Sequence, residues 1–574
     1  MTPNTKNGSA LCEQSQSYLQ GPRDRPFLYR TIGQHLREAA DRYPNHEALV
    51  SLHEGLRYSY AEVLDRADRL AAGFYLLGLQ KGDRVAIWAP NSAAYYLSTL
   101  AVARAGMISV GINPAYQIPE LEYALNKVGV KALITIECFR ERNYYEMLME
   151  LLPELAAGSP GNLKCSRVPT LKAVIIDAEN MRYPGTISAH ELLRLPSDQQ
   201  VHAIESIQSR ICPDSGACLL FTSGTTGKPK AALLSHFALI NHSVTIAERN
   251  DLGRKMHRAC VHIPLFHVYG LSFGVLSALS YGTTAVLPGY WFNASDSLNA
   301  IAREKCTVMY GTPTMYVDLL REYRKGMVNL HRMDLANYAA ACCSPQLILE
   351  LESVMGIRKV LAAYGMTELS GVTFMSQAED STQTALESVG RIADHYEAKV
   401  VDREGGIVPF GTPGELWVRG FGNLLGYWGD EDKTKEIMGP DGWLKTGDQF
   451  VLRPDGYGRI VGRIKELIIR GGENIYPREI EDVLNTHPAI LESHCIGVPN
   501  ERLGEEVCAY IRLKDSDGMI DMEEIRSFCK FKLAYFKIPK HLRIVQQYPK
   551  TPTGKVQKYE LLKLFLSENK ENVN

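Results

Sequence analysis

The sequence predicts an α/β protein: a large N-terminal domain of layered sheets, a small β-barrel-like subdomain at its end, and a small C-terminal α+β domain. Three observations predict it. Apolar strands alternate with helical stretches over the first third of the chain, the rhythm of parallel sheets covered by helices. Beyond about residue 385 the texture changes to short strands between glycine-rich turns, which suits a small β-barrel or an antiparallel sheet. A further break falls at 462–466, and a compact unit follows it. With 574 residues the chain is too long for one core.

Residues 1–30 are polar and expected to form a flexible N-terminal segment. The large domain takes 31–462. Strands are expected at 48–52 and 85–89, then a helix over 91–106 that opens on Pro90-Asn91-Ser92 and closes on Gly106. Apolar runs at 107–112, 132–136 and 173–176 continue the alternation. Residues 259–295 hold no Asp, Glu, Lys or Arg. Pro264, Gly270, Gly274 and Pro288 interrupt that stretch, and its helical piece, 271–281, is about half a bilayer span. A buried helix with flanking strands is expected there. The β-rich subdomain, about 385–462, has strands at 398–402, 415–419, 450–453 and 459–462, joined by turns such as Pro454-Asp455-Gly456. The last unit, 467–574, begins with a helix over 477–485. Pro477 stands in its first turn, and Ile480, Val483 and Leu484 share one face. Strands at 496–498 and 507–513 and a helix over 523–531 follow.

Composition narrows the function. Hydrophobic residues make up 45%, charged residues 22%, and the formal net charge is −2. No basic field suits nucleic acid, so small-molecule partners are expected. The 12 cysteines include no CxxC pair, as in a reduced intracellular chain with free thiols. The first twenty residues lack the apolar core of a secretory signal and make a poor transit peptide. The ending Glu571-Asn572-Val573-Asn574 is not a peroxisomal address.

The strongest local signal is Thr222-Ser223-Gly224-Thr225-Thr226-Gly227-Lys228-Pro229-Lys230, after the apolar run 217–221 and before a helical pattern at Leu239, Ile240, Val244 and Ala247. The glycines let backbone approach an anion, the hydroxyls donate, and the lysines add charge. It is not a Walker A loop, because its glycines are three apart and Pro229 follows Lys228.

This loop resembles the signature of the adenylate-forming superfamily, which includes acyl-CoA synthetases, luciferases and peptide-synthetase adenylation domains. The resemblance implies that the loop is mobile and holds the β- and γ-phosphates of ATP. It gives meaning to motifs that are weak alone. Tyr364-Gly365-Met366-Thr367-Glu368 follows an apolar run. By resemblance Tyr364 stacks on adenine, Thr367 touches the α-phosphate region, and Glu368 ligates Mg²⁺, a hard cation that takes one or two carboxylates beside phosphates. Asp448, in Trp443-Leu444-Lys445-Thr446-Gly447-Asp448, would accept both ribose hydroxyls with Arg463 in support. Lys465, within 463–466, would be the hinge of a mobile C-terminal domain, and Gly471 and Gly472 would line a pantetheine channel. Lys555, at the tip of Pro549-Lys550-Thr551-Pro552-Thr553-Gly554-Lys555, matches the family's adenylation lysine.

The implied substrates are a carboxylic acid, ATP and coenzyme A, with Mg²⁺ as cofactor. The acid pocket is expected around 264–270 and 309–316. Pro264-Leu265-Phe266-His267-Val268-Tyr269-Gly270 offers no carboxylate for an amino-acid ammonium, so an apolar acyl group is favoured. His267 either gates the pocket or packs. Glu387-Ser388-Val389-Gly390-Arg391-Ile392, Leu425-Gly426-Tyr427-Trp428-Gly429 and Tyr310-Gly311-Thr312-Pro313-Thr314-Met315 resemble the family member 2 branch of the medium-chain acyl-CoA synthetases. That branch implies a mitochondrial location, with the cytosol as the alternative. Two departures stand out. Ala231 replaces a usual glycine, and Ala340-Ala341-Cys342-Cys343 replaces a glycine-richer adenine-side segment, where the Ala341 methyl would crowd the nucleotide. The competing readings are an aryl-acid CoA ligase or luciferase-like enzyme of the same fold, and a catalytically silent nucleotide- or acyl-binding protein.

Overall fold

The structure is a computed structural model that describes residues 16–571, except 180–181, 223–227, 327, 342, 471–472, 501, 516–517, 531, 534 and 552–553. Two large mixed sheets form the N-terminal domain. Among the described residues the first has eight strands, ordered Ile187–Ser188, Ala173–Asp177, Ala132–Ile136, Arg84–Trp88, Ile108–Ile112, Gly216–Thr222, Lys230–Ser235 and Gly426–Tyr427. The second has nine: Arg391–Ile392, Gly371–Met375, Lys359–Met366, Leu335–Tyr338, Val308–Gly311, Arg258–Val261, Thr284–Leu287, Glu47–Ser51 and Leu56–Ser59. Their inner strands pair in parallel. Such strands are covered on both faces, which is why Ile108–Ile112 and Ala132–Ile136 are apolar and buried throughout.

Helices between the sheets read accordingly. Ala93–Arg104 starts on Ser92, whose hydroxyl accepts from Tyr95 N, and is buried along nearly its whole length. Its last residue, Arg104, is fully buried, and only ion pairs make that tolerable: Asp68 at 2.5 Å and Glu205 at 2.8 Å. The uncharged stretch is built into the second sheet and the helix beside it. It supplies the buried strands Arg258–Val261 and Thr284–Leu287 and, between them, a π-helix, Gly270–Leu276, continued by the α-helix Ser277–Tyr281. No helix among the described residues is long and apolar enough to span a bilayer.

One expectation changes and two are sharpened. Residues 16–30 are tied down rather than loose. Tyr18–Gln20 pairs antiparallel with Tyr396–Val401, Leu28 N donates to Asn241 Oδ1 at 2.9 Å, and Phe27 packs on Phe237, His395 and Phe421. The polar composition hid a few anchoring aromatic and apolar side chains. The β-rich subdomain takes the second of its two expected forms, an antiparallel sheet, ordered among the described residues Tyr18–Gln20, Tyr396–Val401, Gly414–Gly420, Leu444–Leu452 and Gly458–Arg463. Finally, the helical pattern expected at Leu239–Ala247 lies in a helix, but the glycine-rich loop does not lead straight into it. A strand, Lys230–Ser235, intervenes and pairs with Gly216–Thr222, putting Lys230 opposite Thr222. The helix starts only at His236.

The chain leaves the β-rich sheet at Arg463, makes a 3₁₀ turn over Ile464–Glu466, and enters a smaller sheet at Ile468–Arg470. There Ile490–Asn500 and Gly504–Leu513 form a long antiparallel pair, with His541–Ile544 parallel on its flank. The helices Pro477–Leu484 and Met522–Cys529 cover one face, where Ile468, Ile480, Leu484, Val507, Ile511 and Ile525 make a separate core.

Candidate active site

The site collects at the end of the large domain. The strand Lys359–Met366 shifts register at Gly365, where a Cβ would meet the Gly371 carbonyl oxygen at 1.6 Å, so only glycine lets the two strands approach here. A 3₁₀ turn, Thr367–Leu369, follows and buries both Thr367 and Glu368. The Glu368 carboxylate accepts a 2.7 Å hydrogen bond from the Tyr427 hydroxyl, and its backbone carbonyl accepts from Leu424 N at 2.8 Å. Tyr427 lies in the edge strand that pairs with Ala232 and Leu233, and Lys230 Nζ stands 4.3 Å from its ring centre. One tyrosine therefore links the acidic turn to the end of the glycine-rich loop. Burial, then Glu368, pushes its phenol well above the usual range. Sequence reasoning quoted Tyr427 only as part of a family motif. The contact that gives it a job joins positions 59 residues apart.

Asp448 is similarly built in. Tyr364 OH donates to one carboxylate oxygen at 2.8 Å, and Arg463 Nε reaches the other at 3.0 Å. Asp448 and Arg463 face each other across the hairpin of Leu444–Leu452 with Gly458–Arg463. The Tyr364 ring is buried against Phe374 and Phe450, and this packing holds its hydroxyl on Asp448. The Asp448 charge raises the pKa of Arg463.

Lys555 comes from the small domain, about ninety residues beyond the end of the large one. Burial, together with the nearby Arg463, lowers its ammonium to about 8, and Asp448 and Glu466 oppose that shift. Burial and then Lys555 push His267 down to about 4, so its imidazole is neutral. His267 Nδ1 accepts from Tyr269 N at 3.2 Å, which leaves Nε2 as the N–H. Two further ties hold the small domain here: Arg478 donates to the Cys343 carbonyl at 3.2 Å, and Arg512 lies 3.6 Å from Asp318.

The two segments expected to line the acid pocket come together. Tyr269 OH donates to the Asn337 carbonyl at 2.8 Å and lies 3.3 Å from that of Gly311, while Phe273 meets the Tyr310 ring at 5.4 Å. His262 Nε2 is buried there without a hydrogen-bond partner among the described residues.

The glycine-rich loop is visible at its ends. Thr222 closes one strand, Lys230 opens the next, Tyr123 OH donates to the Pro229 carbonyl at 3.0 Å, and Lys228 lies over the Tyr123 ring. Ser223, Gly224, Thr225, Thr226 and Gly227 lie outside the described residues, as do Gly471 and Gly472. Lys465 is exposed in the 3₁₀ turn between the domains. The Ala231 side chain is fully buried in the sheet. Ala340 has φ of +68°, a left-handed conformation in which a glycine would be unstrained.

No three His, Cys, Asp or Glu residues gather into a metal cage among the described residues. A single buried carboxylate such as Glu368 nevertheless fits a hard divalent cation whose other ligands are phosphate and water.

Comparison with known proteins agrees over nearly the whole chain. The family model described as AMP-binding enzyme matches residues 36–428, and that of the AMP-binding enzyme C-terminal domain matches 479–555. The medium-chain acyl-CoA ligase ACSF2, mitochondrial, of Danio rerio is 43% identical over 563 residues, covering 97% of this chain and 91% of its own. Among solved structures, the anthranilate CoA ligase AuaEII in complex with anthranoyl-AMP superposes with a TM-score of 0.81 at 25% identity, covering 95% of this chain and 99% of its own. ATP-bound MatB from Rhodopseudomonas palustris does so with 0.77 at 28% identity, covering 94% and 99%.

Proposed function

This chain belongs to the AMP-binding enzyme family, and we propose that it is an ATP-dependent medium-chain fatty acid–CoA ligase working through an acyl-adenylate. One observation carries the reading: a half-buried lysine from a separate small domain, Lys555, comes near enough to the paired Asp448 and Arg463 and to His267 for their charges to act on one another. That is the arrangement an attack on the α-phosphorus of ATP requires. A carboxylate oxygen forms the new P–O bond, the bond to pyrophosphate breaks, and acyl-adenylate results. Lys555 supplies a point charge where negative charge accumulates. Asp448, with Arg463 and Tyr364 fixing both its oxygens, receives the ribose, and Tyr364 also borders the adenine. Thr367 lies beside the α-phosphate. The loop from Thr222 to Lys230 holds the outer phosphates. Glu368 would hold Mg²⁺, which would neutralise phosphate charge.

In the second step the thiolate of CoA attacks the acyl carbonyl, the C–O bond to AMP breaks, and thioester forms. Lys555 has no part in that step, so the domain boundary at 463–466, with Lys465 as hinge, lets the small domain turn away. The bare backbone of Gly471 and Gly472 then admits the pantetheine arm. An open hollow of about 590 Å³, lined by Arg470, Asn500, Arg502, Lys540 and one carboxylate, Glu506, offers cations to the CoA phosphates. The apolar, uncharged surroundings of Tyr269 and Tyr310 favour an apolar acid. The mitochondrial location in the relative's name supports the same location for this chain.

The test is pyrophosphate release from purified protein with Mg-ATP, CoA, straight-chain acids of increasing length and aromatic acids. Acid-dependent release that peaks at intermediate length and accompanies acyl-CoA supports the reading. A peak on aromatic acids would replace it with an aryl-CoA ligase. ATP binding without release from any acid would leave a nucleotide-binding protein.

A further inference from the structure

The carbonyl just before Lys555 is held by the large domain through a directional chain of hydrogen bonds. Thr312 caps the helix Pro313–Tyr323, its hydroxyl oxygen accepting from Met315 N at 3.4 Å. The Thr312 and Thr314 hydroxyl oxygens are 3.0 Å apart. Thr314 donates to the Gly554 carbonyl at 2.8 Å. A hydroxyl has one proton. Thr314 commits its own to Gly554, so it must accept from Thr312, whose acceptor side faces Met315. One direction of donation satisfies every member, and it runs outward from a helix N-terminus, whose dipole reinforces it. Both threonines are buried. Gly554 has φ of +81°, and a Cβ there would lie 3.0 Å from the Thr312 hydroxyl and 3.2 Å from that of Thr314. A larger residue would keep the backbone off this dock.

We propose that Thr314, oriented by Thr312, is a positioning residue for adenylation: it docks the Lys555 loop for the first half-reaction and releases it for the second. The proposal rests on the two-step reading above. Its hydrogen bond adjoins Lys555 in the chain, so it fixes where the ammonium stands. It is a single bond, and the turn of the small domain breaks it without leaving an apolar scar.

The full-length protein is compared with Thr314→Val, which keeps shape and removes the proton, and with Thr314→Ser, which keeps the proton. Acid-dependent pyrophosphate formation in a single turnover should fall about five- to tenfold in Thr314→Val and recover in Thr314→Ser. Thioester formation from supplied acyl-adenylate and CoA should be unchanged in both. Equal loss in both half-reactions, or loss in neither, would overturn the proposal. If no acid supports turnover in the unaltered protein, the functional reading fails first, and the dock is read without substrate. Hydrogen exchange at the amides of Gly554 and Lys555 should then quicken severalfold in Thr314→Val while the Ile490–Asn500 pair with Gly504–Leu513 keeps its rate. Unchanged exchange at the loop would reject the dock.

Discussion

The floor of the site and its lysine are built in opposite ways. Asp448, Tyr364 and Arg463 hold one another, and Glu368 and Tyr427 hold each other, through contacts of 2.7 to 3.0 Å. Lys555 arrives from another domain and is kept in place by a handful of polar ties. In the proposed reaction, groups that serve both half-reactions would be pre-organised, and the one that serves only adenylation would be held weakly enough to leave. This contrast is what a two-step ligase demands of a single cleft.

The largest effect should come from removing the moving partner. Lys555→Ala is expected to slow adenylate formation by about 10²–10³ while sparing thioester formation from supplied acyl-adenylate, measured side by side. Comparable loss in both would erase the distinction between floor and lysine.

The next test uses pH. With its ammonium at about 8, Lys555 is charged below that value and loses charge as pH rises through it. The kcat/KM for ATP in the first half-reaction should therefore fall about tenfold per pH unit above it. The profile of thioester formation from acyl-adenylate should lack this limb. Lys555→Arg, weaker throughout, should lose the limb as well, because a guanidinium stays charged.

Substitution in the floor should be milder but shared. Tyr427→Phe removes one hydrogen bond to Glu368, worth about 1–2 kcal/mol with a charged acceptor. Adenylation is expected to fall about tenfold, and the Mg²⁺ concentration for half-maximal tightening of ATP binding, read by calorimetry, should rise. An unchanged Mg²⁺ dependence would deny Tyr427 its hold on Glu368.

The smallest effect concerns the segment where alanines stand. Ala340→Gly should relieve the left-handed strain and offset part of the entropy cost, a net gain of up to about 1 kcal/mol in denaturant unfolding. A loss would show that the methyl's packing outweighs the strain.

The sequence by itself determined much of this protein. Continuous apolar runs such as 108–112 and 132–136 announce strands covered on both faces, because a parallel sheet leaves no wet side. The break at Ile464–Glu466 is written in charged and exposed residues between two separate cores. The family motifs also carried Glu368, Asp448, Arg463 and Lys555 as candidates before any geometry. Other features needed the folded chain. Residues 16–30 look loose because only a few side chains anchor them, and the strand Lys230–Ser235 hides between a loop and a helix. The bonds of Tyr427 to Glu368, Tyr364 to Asp448 and Thr314 to Gly554 join positions 59, 84 and 240 residues apart. Local propensity carries no trace of such pairs. Only tertiary packing brings the partners within hydrogen-bond reach, and it sets the bonds of Asp448 and Glu368, made inside the large domain, apart from the Thr314 bond that reaches the small one.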